Sequence, residues 1–257
     1  MQAVLRSMPN WVVATLVAML VAMWAASGQA ALALAAALIV RSAFWQAGRA
    51  SVLALATGTA RALSAQGLKS WYFISADYAF GAALEKDARA IVQAQGGQVL
   101  GSVKHPVGVS DMSSYLLQAQ NSKAQVIGLA NSGADTLNTV KQAREFGLGT
   151  GANKQVFTPL LALITEVNGM GLRNAQGMFI TTGFYWDLND ETRAWSKRFF
   201  DKHKRMPTMV QAGQYSSVMH YLRAVKAAGT DEAGKVMAQM KSTPINDFFA
   251  KNGRIRD

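Results

Sequence analysis

Hydrophobic positions change rhythm along the chain, and the change marks where a fold begins. From Val52 onward, short β-forming runs alternate with stretches of helical spacing. The clearest junction is Lys69 to Gly81, KSWYFISADYAFG. Trp71, Tyr72, Phe73 and Ile74 are β-formers in a run too short for a helix, and Ala79 to Val92 then takes helical spacing. This predicts a strand feeding a helix through Ser75, Ala76, Asp77 and Tyr78. Side chains at the carboxyl end of a strand are where open α/β sheets bind ligands.

The same alternation continues. Strands are predicted at about 70–75, 98–103, 124–130, 155–158 and 177–182, with helices at about 80–95, 111–121, 134–146 and 160–170 between them. A helix over Val52–Gln66 precedes the first strand and stops at Gly67. Ser110 or Asp111, and Ser132 or Asp135, are placed to cap the helices that follow them, and Gly147 to end one. Runs such as QVIGLA (Gln125–Ala130) are nearly continuous in apolar character, as in strands covered on both faces. The fold class is therefore α/β, with a parallel, doubly wound sheet. After Thr182 the alternation ends. Helices are predicted at Asp190–His203, Met209–Ala228 and Asp231–Lys241, with Asn189 and Thr230 as N-caps and no strand beyond 183.

In a flavodoxin-like strand order the switch point lies between the first and third strands. That nominates Ser75, Asp77 and Tyr78 with Asn131 and Ser132. Tyr185 and Trp186, set among Gly183, Asp187 and Asn189, are read as an exposed hinge or cleft pair. The strand-end rule also picks out Lys104 and His105, and Thr158 and Pro159. Hydroxyls, an amide, one carboxylate and aromatic faces suit hydrogen bonding and stacking of a small polar ligand better than bond breaking. Asp77 has a second reading as a helix cap, and Asn131 and Ser132 as turn formers.

Catalytic signals are poor. His105, His203 and His220 lack metal-ligand spacing, cysteine is absent, and there is no GxSxG elbow. GLGTG (Gly147–Gly151) follows a helix and precedes a strand, the reverse of a dinucleotide fingerprint. An enzyme, a metal and a cofactor are not expected.

The region before Val52 has another character. From Ser7 to Val40 no residue is charged. Arg6 precedes an apolar stretch from Trp11 to Trp24, and Ala26-Ser27-Gly28-Gln29-Ala30 offers small residues for cleavage. Residues 1–31 thus read as a secretory signal peptide or as a membrane anchor, since a span needs about 20 apolar residues. Either exports the rest of the chain. Residues 32–51 read as a low-complexity linker. The net charge of +11 raises nucleic acid as a partner, but the cations are scattered. The densest group, Lys202–Arg205, sits at a helix end that the helix dipole favours. No nucleic-acid motif accompanies it.

WYFISADYAFG, the stretch from Asp111 to Leu148, GMFITTGFYWDLNDETRAW and PTMVQAGQYSSVMHYLRAV together resemble the type I periplasmic substrate-binding proteins of ABC importers, of the branched-chain amino-acid or leucine-binding kind. The resemblance covers about residues 52 to 250. It implies two α/β lobes that clamp a ligand between them, and a closed form delivered to an ABC permease. Residues 52–185 would be a Rossmann-like second lobe, and 186–257 a mainly helical return into the first. An aromatic near the Asp77–Gly81 turn and residues of the Asn131–Asp135 turn would face the cleft. Phe80 stands where many members carry Tyr, which removes a hydroxyl.

The resemblance also implies a first lobe of roughly a hundred residues ahead of the equivalent of Val52, where this sequence has only the linker. Most of that lobe is therefore expected to be missing. The expectation is an extracytoplasmic, periplasmic solute-binding component for an amino acid or amide. Its alternatives are a membrane-tethered ligand-sensing receptor domain on the same fold, or a truncated non-binding fragment. The expected ligand residues are Ser75, Asp77, Tyr78, Phe80, Asn131, Ser132, Tyr185 and Trp186.

Overall fold

A computed structural model describes residues 55–149 and 155–255. The expected signal or anchor, the linker and the first residues of the Val52–Gln66 helix lie outside the described residues. The described chain falls into two compact units, 55–211 and 212–255.

The first unit opens with helix α1 (55–65), which ends at Gly67 in a left-handed conformation. It continues through β1 (Ser70–Ala76), α2 (Ala79–Ala94), β2 (Gln98–His105), α3 (Ser113–Asn121), β3 (Val126–Ala130), α4 (Ala134–Glu145) and β4 (Val156–Pro159). Two short helices follow, α5 (Ile164–Met170) and α6 (Leu172–Ala175), and then α7 (Asp190–His203). The strands form one parallel sheet in the order β2-β1-β3-β4. The switch point thus falls between β1 and β3, and their carboxyl ends lie side by side.

Alternation along the strands divides the core in two. Trp71 and Phe73 of β1 pack on α1 and α2 through Ala56, Ala60, Leu63, Leu84, Ala88 and Val92. Tyr72 and Ile74 face the other way, onto Met112, Leu116, Val140 and Ala143 of the α3–α4 side. Both central strands are buried almost throughout, β3 at every residue. Gly128 makes room for the Phe73 ring, because a Cβ there would fall 2.6 Å from it. Strand β2 lies at the sheet edge and alternates between exposed and half-buried positions up to its last residue, the buried His105, which fits an edge strand with one covered face.

Several expectations are corrected. Residues 177–182 are not a strand. The segment is attached through side chains instead: the Thr158 hydroxyl donates to Phe179 O at 2.6 Å, and Thr59 and Thr181 hydroxyls lie 2.8 Å apart. Pro159 ends β4 without an N–H to extend a ladder. The helix expected over 160–170 begins only at Ile164, where Glu166 accepts from Leu163 N at 2.7 Å. Gly133, not Ser132 or Asp135, is the N-cap of α4, and Met112 that of α3, with Asp111 accepting from Ser113 N just ahead of the helix. Asn189 does cap α7, accepting from Thr192 N at 3.0 Å.

The second unit comprises most of α8 (Met209–Ala228) and all of α9 (Ala233–Ser242). The N-cap of α9 is Glu232 rather than Thr230. Ala224, Val236 and Met240 form its small core. His220 Nε2 lies 3.0 Å from Met240 O, and the Ser216 hydroxyl donates to Asp247 at 2.7 Å. An isolated antiparallel β-bridge joins Ile245 to Gly253.

Candidate functional site

The candidate site is the carboxyl edge of the sheet at the β1/β3 switch point. Its geometry depends on Gly81. A Cβ at this position would lie 2.2 Å from Ala76 O and 2.9 Å from Ala130 O, so only glycine lets the first turn of α2 press against both strand ends. The N-cap of α2 is Tyr78, in an extended conformation and without a side-chain cap. Asp77 therefore does not cap the helix. Its carboxylate pairs instead with Lys104 at the end of β2, 3.1 Å away, with both side chains well exposed. An exposed pair of this kind adds little stability, but it sets a cation beside the carboxylate at the sheet's carboxyl edge.

Tyr78 is 43% exposed. Its ring stacks on Phe80, with centroids 5.7 Å apart and planes 28° apart, while Phe80 itself leans on the α1–α2 core. The two rings form an anchored aromatic face beside the switch point. At the end of the adjacent strand β3, Ser132 is half-buried, and the neighbouring Gly133 takes φ +63°. Gly133 N donates to Glu166 Oε1 at 2.7 Å, which ties this turn to the start of α5.

Ser75 and Asn131 are placed differently from their neighbours. Ser75 is buried, and its hydroxyl donates to Glu85 Oε2 at 2.6 Å on the α2 side. Burial alone would raise the Glu85 carboxyl, but hydrogen bonds from Ser75, Arg89 and Ser102 and the charge of Arg89 outweigh it and hold the group below its ordinary value. Asn131 is fully buried and bonded within the protein to His105, Thr136 and Thr139. Tyr185 and Trp186 stand together on the turn before α7, ring centroids 5.7 Å apart, just past Phe184, whose ring meets Trp195 edge-on. Thus Asp77, Tyr78, Phe80 and Ser132 gather at the switch point. Ser75 and Asn131 lie beneath it, and Tyr185 with Trp186 forms a separate group.

The sequence reading passed over Gly81 and Glu166 and left Lys104 and His105 as strand-end residues without a role. For Lys104 and His105 the signal was present, since both end a strand. Among the described residues no cluster of three His, Asp or Glu side chains is arranged to hold a metal ion.

A doubly wound lobe with polar and aromatic turns at its switch point is an architecture that carries ligand sites in α/β proteins. The comparisons with known proteins narrow this class. The profile of the periplasmic binding protein family matches residues 44–257, and the chain belongs to that family. A periplasmic binding protein from Burkholderia mallei shares 50% identity and superposes with a TM-score of 0.73, over 80% of this chain and 54% of its own. A branched chain amino acid ABC transporter periplasmic ligand-binding protein from Burkholderia xenovorans LB400 shares 40% identity, with a TM-score of 0.73 over 79% of this chain and 54% of its own. A leucine binding protein from Thermotoga maritima MSB8, at 20% identity and TM-score 0.61, covers 76% of this chain and 55% of its own and shares the fold. The chain thus spans little more than half the length of these structures. No curated protein matches the sequence.

Proposed function

We propose that this protein is a periplasmic solute-binding component of an ABC transporter, and that the β1/β3 sheet edge forms one wall of its ligand site. The observation that carries the reading is the stacked Tyr78–Phe80 pair after β1, with the Ser132–Gly133 turn after the paired strand β3. An aromatic face beside a hydroxyl and turn backbone suits non-covalent capture of a small ligand with an apolar or planar body and a polar end. An amino acid is the first ligand to try, because the relative at 40% identity is a branched-chain amino-acid transporter component. Benzoate and 4-hydroxybenzoate are the second, since solute-binding proteins from R. palustris with the same fold hold them. The partner of the loaded protein would be an ABC permease. Asp77, Tyr78, Phe80 and Ser132 are the contact residues, with Tyr185 and Trp186 as a second aromatic group, and Ser75 and Asn131 supporting them from below.

The test is isothermal titration of the folded full chain with L-leucine, L-isoleucine, L-valine, L-phenylalanine, benzoate and 4-hydroxybenzoate. Saturable heat with at least one supports the reading. Heat from none of them, with the chain shown to be folded, contradicts it.

A further inference from the structure

His105 occupies an unusual place for a histidine whose side chain is not among the proposed ligand contacts. It is fully buried at the last position of β2, and Asn131 is fully buried immediately after β3. These strands are not neighbours, because β1 runs between them. Yet Asn131 Nδ2 lies 3.2 Å from His105 Nε2. The bond therefore passes over the end of the central strand.

Register explains how. Ala76 is paired with His105, and Ser75 with Ala130, so Asn131 stands one place further on at the far side of Ala76. Alternation puts Ala76 on the same face as Tyr72 and Ile74, the α3–α4 face. Ala76 is buried, and its methyl group is small enough to leave a passage for the two longer side chains to meet. Adjacent strands are about 4.8 Å apart, so the clasp spans about twice that distance.

Each member of the clasp has its remaining polar atoms engaged. His105 Nδ1 lies 2.8 Å from Pro106 O, which can only accept, so Nδ1 carries the proton and Nε2 accepts from the Asn131 amide. Asn131 Oδ1 accepts from the Thr136 hydroxyl at 2.8 Å, and its Nδ2 also reaches Thr139 Oγ1 at 3.4 Å. The Thr139 hydroxyl in turn donates to Asp135 O at 2.6 Å. The Tyr115 ring closes the side facing α3, 5.8 Å from the imidazole. A network with each member bonded in a dry setting fixes one arrangement, because any other leaves a buried polar atom unpaired.

The clasp also reaches both turns of the site. Asp77 N donates to His105 O at 2.8 Å, so the turn after β1 hangs on the backbone of the same residue. Asn131 is covalently next to Ser132, the start of the turn after β3. We infer that His105 is a positioning residue that couples the Asp77–Tyr78 turn to the Ser132–Gly133 turn, with Asn131 as its partner and Ala76 as the gap that lets them meet. The inference rests on the proposed function for its meaning, since these are the turns assigned to the ligand. Its geometry stands without a ligand.

The experiment follows backbone amide hydrogen exchange in the full chain without ligand, so its outcome does not depend on whether any ligand binds. The variants are His105→Leu, His105→Gln and Ala76→Leu, with Leu116→Ala as a control that loosens the same face away from the clasp. His105→Leu removes the acceptor. Ala76→Leu wedges the passage while leaving His105 and Asn131 intact, and it replaces His105→Leu as the deciding variant should that chain not fold. The expected result is about tenfold faster exchange at both Asp77–Tyr78 and Ser132–Gly133 in His105→Leu and in Ala76→Leu, beyond any rise across the sheet. His105→Gln, whose amide offers an acceptor and a donor, restores protection at both turns. Leu116→Ala leaves the two turns in line with the rest of the sheet. Faster exchange at one turn alone, a uniform rise across the sheet, or equal loss in the Gln variant would each overturn the inference.

Discussion

Gly81 brings the first turn of α2 so close to β1 that a single added methyl would sit 2.2 Å from the carbonyl oxygen of Ala76. The same methyl would lie 2.9 Å from Ala130 O, so both strands of the switch point are packed against one glycine. Backbone atoms cannot swing aside as a side chain can. Gly81→Ala is expected to cost about 2–3 kcal/mol of stability by overpacking. Gly96→Ala, where φ is +71° and nothing lies within 4 Å, is expected to cost only about 1 kcal/mol through backbone strain. Urea unfolding midpoints of the two variants check the difference.

Glu85 makes stability depend on pH in a defined direction. Its carboxyl is held below the unfolded value of 4.5, so the stabilisation it gives is complete above that value and is lost as pH falls through the depressed folded one. Glu85→Gln should therefore flatten the acid limb of a plot of unfolding free energy against pH. Ser75→Ala removes one donor to the carboxylate and should lower stability at neutral pH by about 1 kcal/mol, with a smaller difference from the parent at the acid end. A larger difference at low pH than at neutral pH would have the wrong sign.

Arg144 ties the turn after α4 and the end of α6 to α4 through one side chain. Its guanidinium donates to Asn174 O, Leu148 O, Gly149 O and Gln176 O at 2.8–3.2 Å. A lysine keeps the charge but lacks the planar fork, and it leaves some of these carbonyls without a donor. Arg144→Lys is expected to cost about 2 kcal/mol, read as a drop in Tm. A change within about 0.5 kcal/mol, as for an ordinary surface site, would show that the fork is dispensable.

Tyr78 separates binding from folding. Being 43% exposed and lacking a role as a side-chain cap, it should tolerate Tyr78→Ala with the fold intact and a loss of about 1 kcal/mol at most, that of its stack on Phe80. Stacking of this kind contributes about 1 kcal/mol, so the affinity for whichever ligand gives heat should fall about fivefold. Phe80→Ala should lower both affinity and stability, since that ring also packs on the α1–α2 core.

Much of the lobe was legible in the sequence because its signals are local. The β-formers Trp71 to Ile74, the unbroken QVIGLA run and the stop glycines at 67 and 147 each specify their element without help from distant residues. The switch point followed from the βα alternation and an assumed strand order that the sheet shares. The misplacements have non-local causes. Residues 177–182 carry the composition of a strand, but they attach through Thr158 and Thr59 rather than through a ladder. Asn131 reads as a ligand-facing strand-end residue or a turn former until β2 and β1 are placed beside it, and only then does His105 appear as its partner. Asp77 passes for a cap because its competitor, Lys104, comes from another strand.

The most direct test of the central claim, that the β1/β3 edge is the ligand wall, is a set of amide spectra of the full chain with and without an equimolar mixture of the twenty common amino acids, benzoate and 4-hydroxybenzoate. The account predicts that the amides of Asp77, Tyr78, Ser132 and Gly133 shift most within the 55–211 unit. Saturable shifts that spare these four amides and gather elsewhere in that unit, or no shifts at all from a folded chain, would contradict it.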